Sequence, residues 1–187
     1  ITDRDGIYGI VRAHLKAQEV GIQLIIGSQV TVDDGSTILL LVESHTGYRN
    51  LCRLVTKGRL RSEKGSSSVS WTEVAEHQNG LLALWRANHA PLDLLKDAFG
   101  NRLYAFATRH RQDVDVPRNQ YLKEQAAKYG LPIAAGMEVL YHHRERRDLQ
   151  DVLTAIRHGT TVRSAGRLLK PNAEYGLRTP IAFRELY

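Results

Sequence analysis

"GLLALWRANHAPLDLLKDAFGNRLYAFATRH", Gly80 to His110, is the stretch whose reading decides the fold. Its opening "GLLALWR" is a short apolar run that reads as a buried strand, "HAPLDLLKDAFG" reads as a helix closed by Gly100, and "RLYAFATRH" is a strand again. Strand, helix and strand with such short connections argue for a parallel α/β sheet with crossover helices, open or closed into a barrel.

Working outward, the same alternation continues on both sides. Upstream, "ITDRDGIYGIVRAHLKA" (Ile1 to Ala17) is a strand handing over to a helix that carries Ile7, Ile10, Val11 and Leu15 at helical spacing. "GIQLIIGSQVTV" and "TILLLVES" are strands separated by the turn "DDGS", and "GYRNLCRLVTKGRL" sets Tyr48, Leu51, Leu54 and Val55 on one helical face. "KGSSSVS" is a polar link, after which Ser70 and Glu73 have capping-box spacing. Downstream come a helix closed by Gly130, the strand "LPIAAGMEVLY", and an amphipathic helix, "RRDLQDVLTAIRHG", with Leu149, Val152, Leu153 and Ile156 on one side. The tail is less regular, with a short helix expected from Pro180. Residues 1–160 are expected to form the α/β domain and residues 161–187 an extension leading toward a region outside this chain. The first strand begins almost at its end, so the chain reads as a fragment.

The 187 residues are 42% hydrophobic and 25% charged, ordinary values for one well-cored domain. No apolar run approaches the ~18 residues of a membrane helix, so a soluble protein with no membrane partner is expected. Cys52 is the only cysteine, which excludes an intramolecular disulfide and a cysteine zinc cluster; within its apolar helical pattern it reads as simply buried, in a reducing compartment.

The net charge of +6 permits attraction to phosphates. It is concentrated in three clusters: Lys57, Arg59, Arg61 and Lys64; Arg109 to Arg111; and "HHRERR", His142 to Arg147. The first is the candidate DNA contact, through phosphates, because few aromatics accompany it for base stacking. Each cluster also has a plain reading as solvated surface.

In a parallel layout the strand C-termini converge on one rim, which would gather Asp3, Arg4, Gln29, Ala87, His110 and Glu138 to His143. Carboxylates and imidazoles there could hold divalent metal for phosphoester hydrolysis, yet Arg4 brings a permanent cation to a place that needs anions. Asp3 also reads as an N-cap of the first helix. His142 and His143, flanked by arginines, read as basic surface.

"ITDRDGIYGIVRAH", "GYRNLCRLVTKGR", "GLLALW", "RHRQ", "LPIAAGMEVLYHHRERRDLQDVLTAIRHGTTV" and "NAEYGLRTPIAFRELY" resemble, in order and spacing, the PHP (polymerase and histidinol phosphatase) domain of bacterial C-family DNA polymerases, the polymerase III alpha group, and within it the error-prone branch. The resemblance implies a distorted (β/α)7 barrel with its first strand incomplete here. It also implies vestigial metal positions at Asp3, His110 and Glu138. At the degenerate positions, Arg4 replaces a His, Gln29 a Glu, Ala87 a Cys and Leu140 a His. The family's upstream "HxH" pair lies outside the sequence.

The implied function is a non-catalytic domain that supports an error-prone polymerase in lesion-tolerant DNA synthesis. It would lie in the bacterial cytoplasm beside palm and thumb regions, with DNA as partner through the parent nucleotidyltransferase, no catalytic residues and no cofactor. The alternative is a metal-dependent phosphoesterase or 3′-5′ proofreading exonuclease using zinc or manganese. A third is an isolated basic DNA-binding module.

Overall fold

The computed structural model describes residues 1–187. Six strands form one mixed sheet in chain order: β1 (Thr2–Arg4), β2 (Gly27–Thr31), β3 (Thr37–Val42), β4 (Leu81–Trp85), β5 (Leu103–Thr108) and β6 (Ile133–Gly136). The helices are α1 (Ile10–Val20), α2 (His45–Arg61), α3 (Trp71–Glu76), α4 (Leu92–Phe99), α5 (Asp115–Tyr129), α6 (Arg147–Arg157) and α7 (Pro180–Arg184). The α/β class expected from sequence is observed. No helix is long and apolar enough to cross a membrane.

The decisive stretch folds as read: β4 and β5 pair in parallel, with α4 as their crossover and Gly100 ending that helix at φ 56°. β1 and β2 also pair in parallel, across α1. The expectation of parallel strands throughout is corrected at the centre, where β2–β3 and β3–β4 are antiparallel. Only residues 32–36 separate β2 from β3, too few for a crossover; Gly35 (φ 81°) and the bond from Ser36 N–H to Asp34 Oδ1 (2.7 Å) make the link a hairpin turn. Between β3 and β4 the chain makes two helices and returns to where it left. Gly80, just before β4, lies against the first turn of α2, and a Cβ on Gly47 would stand 1.8 Å from the Gly80 carbonyl oxygen. β4 therefore starts at the end where β3 finishes.

The chain divides into two compact units: residues 1–106 with 120–134, and residues 107–119 with 135–187. In the first, Ile38, Leu40, Leu51, Leu54, Leu81, Trp85, Leu95 and Leu103 are fully buried. The predicted capping box starts α3, with Ser70 Oγ accepting from Glu73 N–H and the Glu73 carboxylate from Ser70 N–H. Cys52 is half-buried, a correction to its reading as core: it lies one residue, about 100° of helix, from Leu51 on the buried stripe.

In the second unit α6 appears where its period placed it, and α7 starts at Pro180 behind a Thr179 cap. The apolar side of α6 faces outward, with Leu149, Val152, Leu153 and Ile156 all exposed while Asp151 and Ala155 are buried. Residues 161–187 cluster with the rest of this unit.

Candidate functional site

The sequence-predicted site residues fall into both units. Asp3, Arg4, Gln29 and Ala87 belong to the first, and His110, Glu138 and Leu140 to the second.

In the first unit the parallel register sets Asp3 beside Ser28 and Arg4 beside Gln29. Ser28 Oγ donates to the Asp3 carbonyl (2.9 Å) and accepts from Gly6 N–H (3.2 Å). The N-cap reading of Asp3 is corrected, because α1 begins only at Ile10 and its cap is Gly9 in the left-handed region (φ 72°). The chain needs residues 5–9 to turn out of the strand, which carries the helix start beyond Asp3.

The carboxylate that is anchored here is Asp5, which the sequence reading passed over. It is buried, accepts from Thr31 N–H (2.7 Å) and Thr31 Oγ1 (2.8 Å), and its carbonyl accepts from Arg59 Nε (2.9 Å). "DRD" offers two carboxylates, and only the strand register, which brings Thr31 alongside, selects the second.

Asp5 (φ 50°), Ala87 (φ 56°) and Arg111 (φ 53°) are the non-glycine residues with positive φ, and each lies just beyond the C-terminal end of a strand: β1, β4 and β5. Left-handed backbone at such positions is strain of the kind stored at functional rims.

In the second unit His110 and Glu138 are brought together. Glu138 N–H donates to His110 Nε2 (3.1 Å), and the imidazole stacks on Tyr175 with centroids 4.2 Å apart and planes inclined by 13°. The His110 backbone is held on both sides: its N–H donates to Asp115 Oδ2 (2.7 Å), and its carbonyl accepts from Asn172 Nδ2 (2.7 Å). Burial pushes the His110 pKa below its ordinary value, against the raising effect of the Glu138 contacts. Because Nε2 accepts from Glu138 N–H, it is unprotonated in this geometry, and the ring proton sits on Nδ1.

The Glu138 carboxylate forms an ion pair with Lys170 (2.8 Å). Leu140 offers a backbone N–H to the Tyr175 carbonyl (2.8 Å) and no side-chain donor atom. His142 and His143 are exposed, ring beside ring at 4.5 Å. In neither unit do three or more His, Cys, Asp or Glu side chains gather as a metal-binding group.

Of the candidate DNA contacts, three are engaged within the chain. Lys57 pairs with Glu73 (3.1 Å) and Glu76 (3.9 Å), Arg61 pairs with Glu73, and Arg59 donates to the Asp5 and Ser66 carbonyls. Arg61 foremost draws the Glu73 pKa down to about 2. Lys64 is exposed and makes no ion pair.

A PHP domain profile matches residues 1–119, which takes in Asp3, Arg4, Gln29, Ala87 and His110. The chain belongs to the PHP domain family. This PHP chain is 38% identical over 202 residues to an error-prone DNA polymerase of Anaeromyxobacter dehalogenans, and 40% identical over 192 residues to one of Pseudomonas fluorescens. Each alignment covers 100% of this chain, but only 18% and 19% of the respective relative. A solved structure from Bifidobacterium adolescentis, of a protein assigned as a metal-dependent phosphoesterase, superposes with a TM-score of 0.47 at 15% identity, covering 73% of this chain and 74% of the other.

Proposed function

We propose that this PHP chain is a non-catalytic domain of an error-prone C-family DNA polymerase, supporting lesion-tolerant synthesis in the bacterial cytoplasm while binding no divalent metal of its own. The observation that carries the reading is the state of His110. Its Nε2 lone pair is taken by Glu138 N–H and its Nδ1 is protonated, so the residue has no lone pair left for a metal. Other positions point the same way. The Glu138 carboxylate is neutralised by Lys170, Arg4 is a fixed cation, Gln29 is uncharged, and Ala87 and Leu140 have no side-chain donor atom. Hard or borderline cations are held by anionic and imidazole donors, so the zinc or manganese implied by the wider family does not fit these residues. The identity to error-prone polymerases along the whole chain supports the parent activity, and on that reading DNA and the palm and thumb regions are the partners.

The alternative is a metal-dependent phosphoesterase or 3′-5′ exonuclease, and one observation favours it: the left-handed residues beyond β1, β4 and β5. On the proposed reading that strain is inherited from a site whose ligands have been replaced.

Loading the purified protein with zinc or manganese, removing excess ion and measuring the remainder separates the two. The expected result is less than one equivalent of metal, with phosphodiester hydrolysis at background. Retention of about two to three equivalents, together with metal-dependent hydrolysis that Asp3→Asn abolishes while the fold persists, sinks the non-catalytic reading.

A further inference from the structure

Two of the basic clusters in the sequence, Arg109 to Arg111 and His142 to Arg147, meet in the second unit at one carboxylate. Glu174, 5% exposed, accepts from Arg144 Nη2 (2.7 Å) and Arg178 Nη2, and lies 3.6 Å from Arg111 Nε. Its own N–H is held by Asn172 Oδ1 (3.0 Å), so the acceptor is fixed in place.

Three guanidinium groups on one carboxylate leave a surplus of two positive charges, since arginine stays protonated at any usable pH. The other ion pairs of this unit, Lys170–Glu138, Arg147–Asp151 and Arg118–Asp115, are one to one. Acceptors are the scarce partner at Glu174: Arg178 Nε is buried with no acceptor at all. Arg178 is enclosed, whereas the Arg111 and Arg144 side chains are 59% and 64% exposed and spend few of their five N–H groups on the glutamate. Arg111 is held there in left-handed backbone (φ 53°), a strained conformation that the fold sustains. His142, His143 and Arg146 are exposed nearby in sequence. The unit as a whole has twelve Lys and Arg against eight Asp and Glu, four of the chain's six net charges.

We propose that Arg111 and Arg144, braced by Glu174, form a phosphate site whose ligand is the backbone of a nucleic-acid strand. Paired guanidinium forks match the oxygens of a phosphodiester. The site is open, which suits a phosphate presented on a chain. The assignment follows from the charge surplus and stands whether or not the chain has a metal site.

The test is fluorescence anisotropy of a labelled single-stranded 20-mer with the 187-residue chain between 50 and 200 mM salt. Each phosphate contact on a single strand contributes about −0.7 to the slope of log K against log salt. R111A/R144A is expected to flatten the slope by about 1.4 and to weaken binding several-fold at the lower salt, whereas Arg53→Ala on exposed α2 leaves it unchanged. R111K/R144K, which keeps the charges, is expected to retain the slope, and R111Q/R144Q, which removes the charges but keeps polar side chains, is expected to flatten it as the alanine pair does and decides the matter if the alanine pair unfolds. Inorganic phosphate at equal phosphate concentration is expected not to displace the oligonucleotide. An unchanged slope in a folded R111A/R144A variant, a slope lost in the lysine pair, or displacement by inorganic phosphate each overturns the proposal.

Discussion

The two units are held together by different chemistry. The first closes around fully buried aliphatic side chains and Trp85, whereas the second buries Thr108, His110, Asp115, Asn119, Asp151 and Glu174 beside few apolar groups, among them Tyr141, Ala155, Ala165, Tyr175 and Leu186. Apolar burial is non-directional and survives changes of pH and salt, while a polar interior depends on charge state and on each partner being present. The first unit is expected to behave as scaffold, and the second as the part that responds to conditions.

The largest effects expected are in the scaffold. Leu40→Ala, at a side chain with no exposed surface, should cost about 2–5 kcal/mol, read as a lower urea midpoint. Gly47→Ala should cost about 3 kcal/mol, because its Cβ meets backbone at Gly80 that cannot rotate away. In the second unit, Glu174→Ala leaves Arg178 enclosed without its anion and should cost about 2 kcal/mol, the discount reflecting the exposure of Arg111 and Arg144. Hydrogen exchange would show the loss of protection confined to residues 107–119 and 135–187. Equal loss among the strands of the first unit would break the contrast.

Acid should separate the units further. His110 has a folded pKa below its unfolded value, so its contribution is complete above pH 6.5 and is lost as pH falls below that point, when the unfolded chain takes up the proton more readily. His110→Phe keeps the stack on Tyr175 and removes the titration, so its melting temperature should vary less between pH 7.5 and 5.5 than that of the parent. Glu73 in the first unit has the opposite charge type but the same sign of dependence. Its contribution is present above pH 4.5 and falls away toward pH 2, and Glu73→Gln should flatten only that lower window. A single transition common to both variants would contradict the division.

The smallest effects compare two neighbouring carboxylates. Asp5→Ala strips Thr31 of both acceptors and should cost about 1–2 kcal/mol, while Asp3→Ala, which leaves the Ser28 bond to the Asp3 carbonyl intact, should change stability by less than about 0.5 kcal/mol in thermal melts.

What the sequence determined by itself was local. Gly100 and Gly130 close their helices, Ser70 and Glu73 cap α3, Thr179 and Pro180 start α7, and the β4–α4–β5 crossover follows from apolar runs and their periods, because each depends on neighbours within a few residues. The ordered motifs also carried the PHP family. Tertiary structure decided the rest. A hydrophobic run has no direction: the antiparallel β2–β3 pair follows from the short local turn at residues 32–36, but the antiparallel β3–β4 pair had to come from the return of Gly80 to Gly47. The choice of Asp5 over Asp3 depended on register with Thr31, 26 residues away. The neutral, accepting His110 depended on a backbone N–H 28 residues on, and the convergence of Arg111, Arg144 and Arg178 on Glu174 joined segments that composition could only count as separate basic clusters. Partners at such separations are chosen by the packing of the whole chain, and no local pattern encodes which carboxylate a given cation will meet.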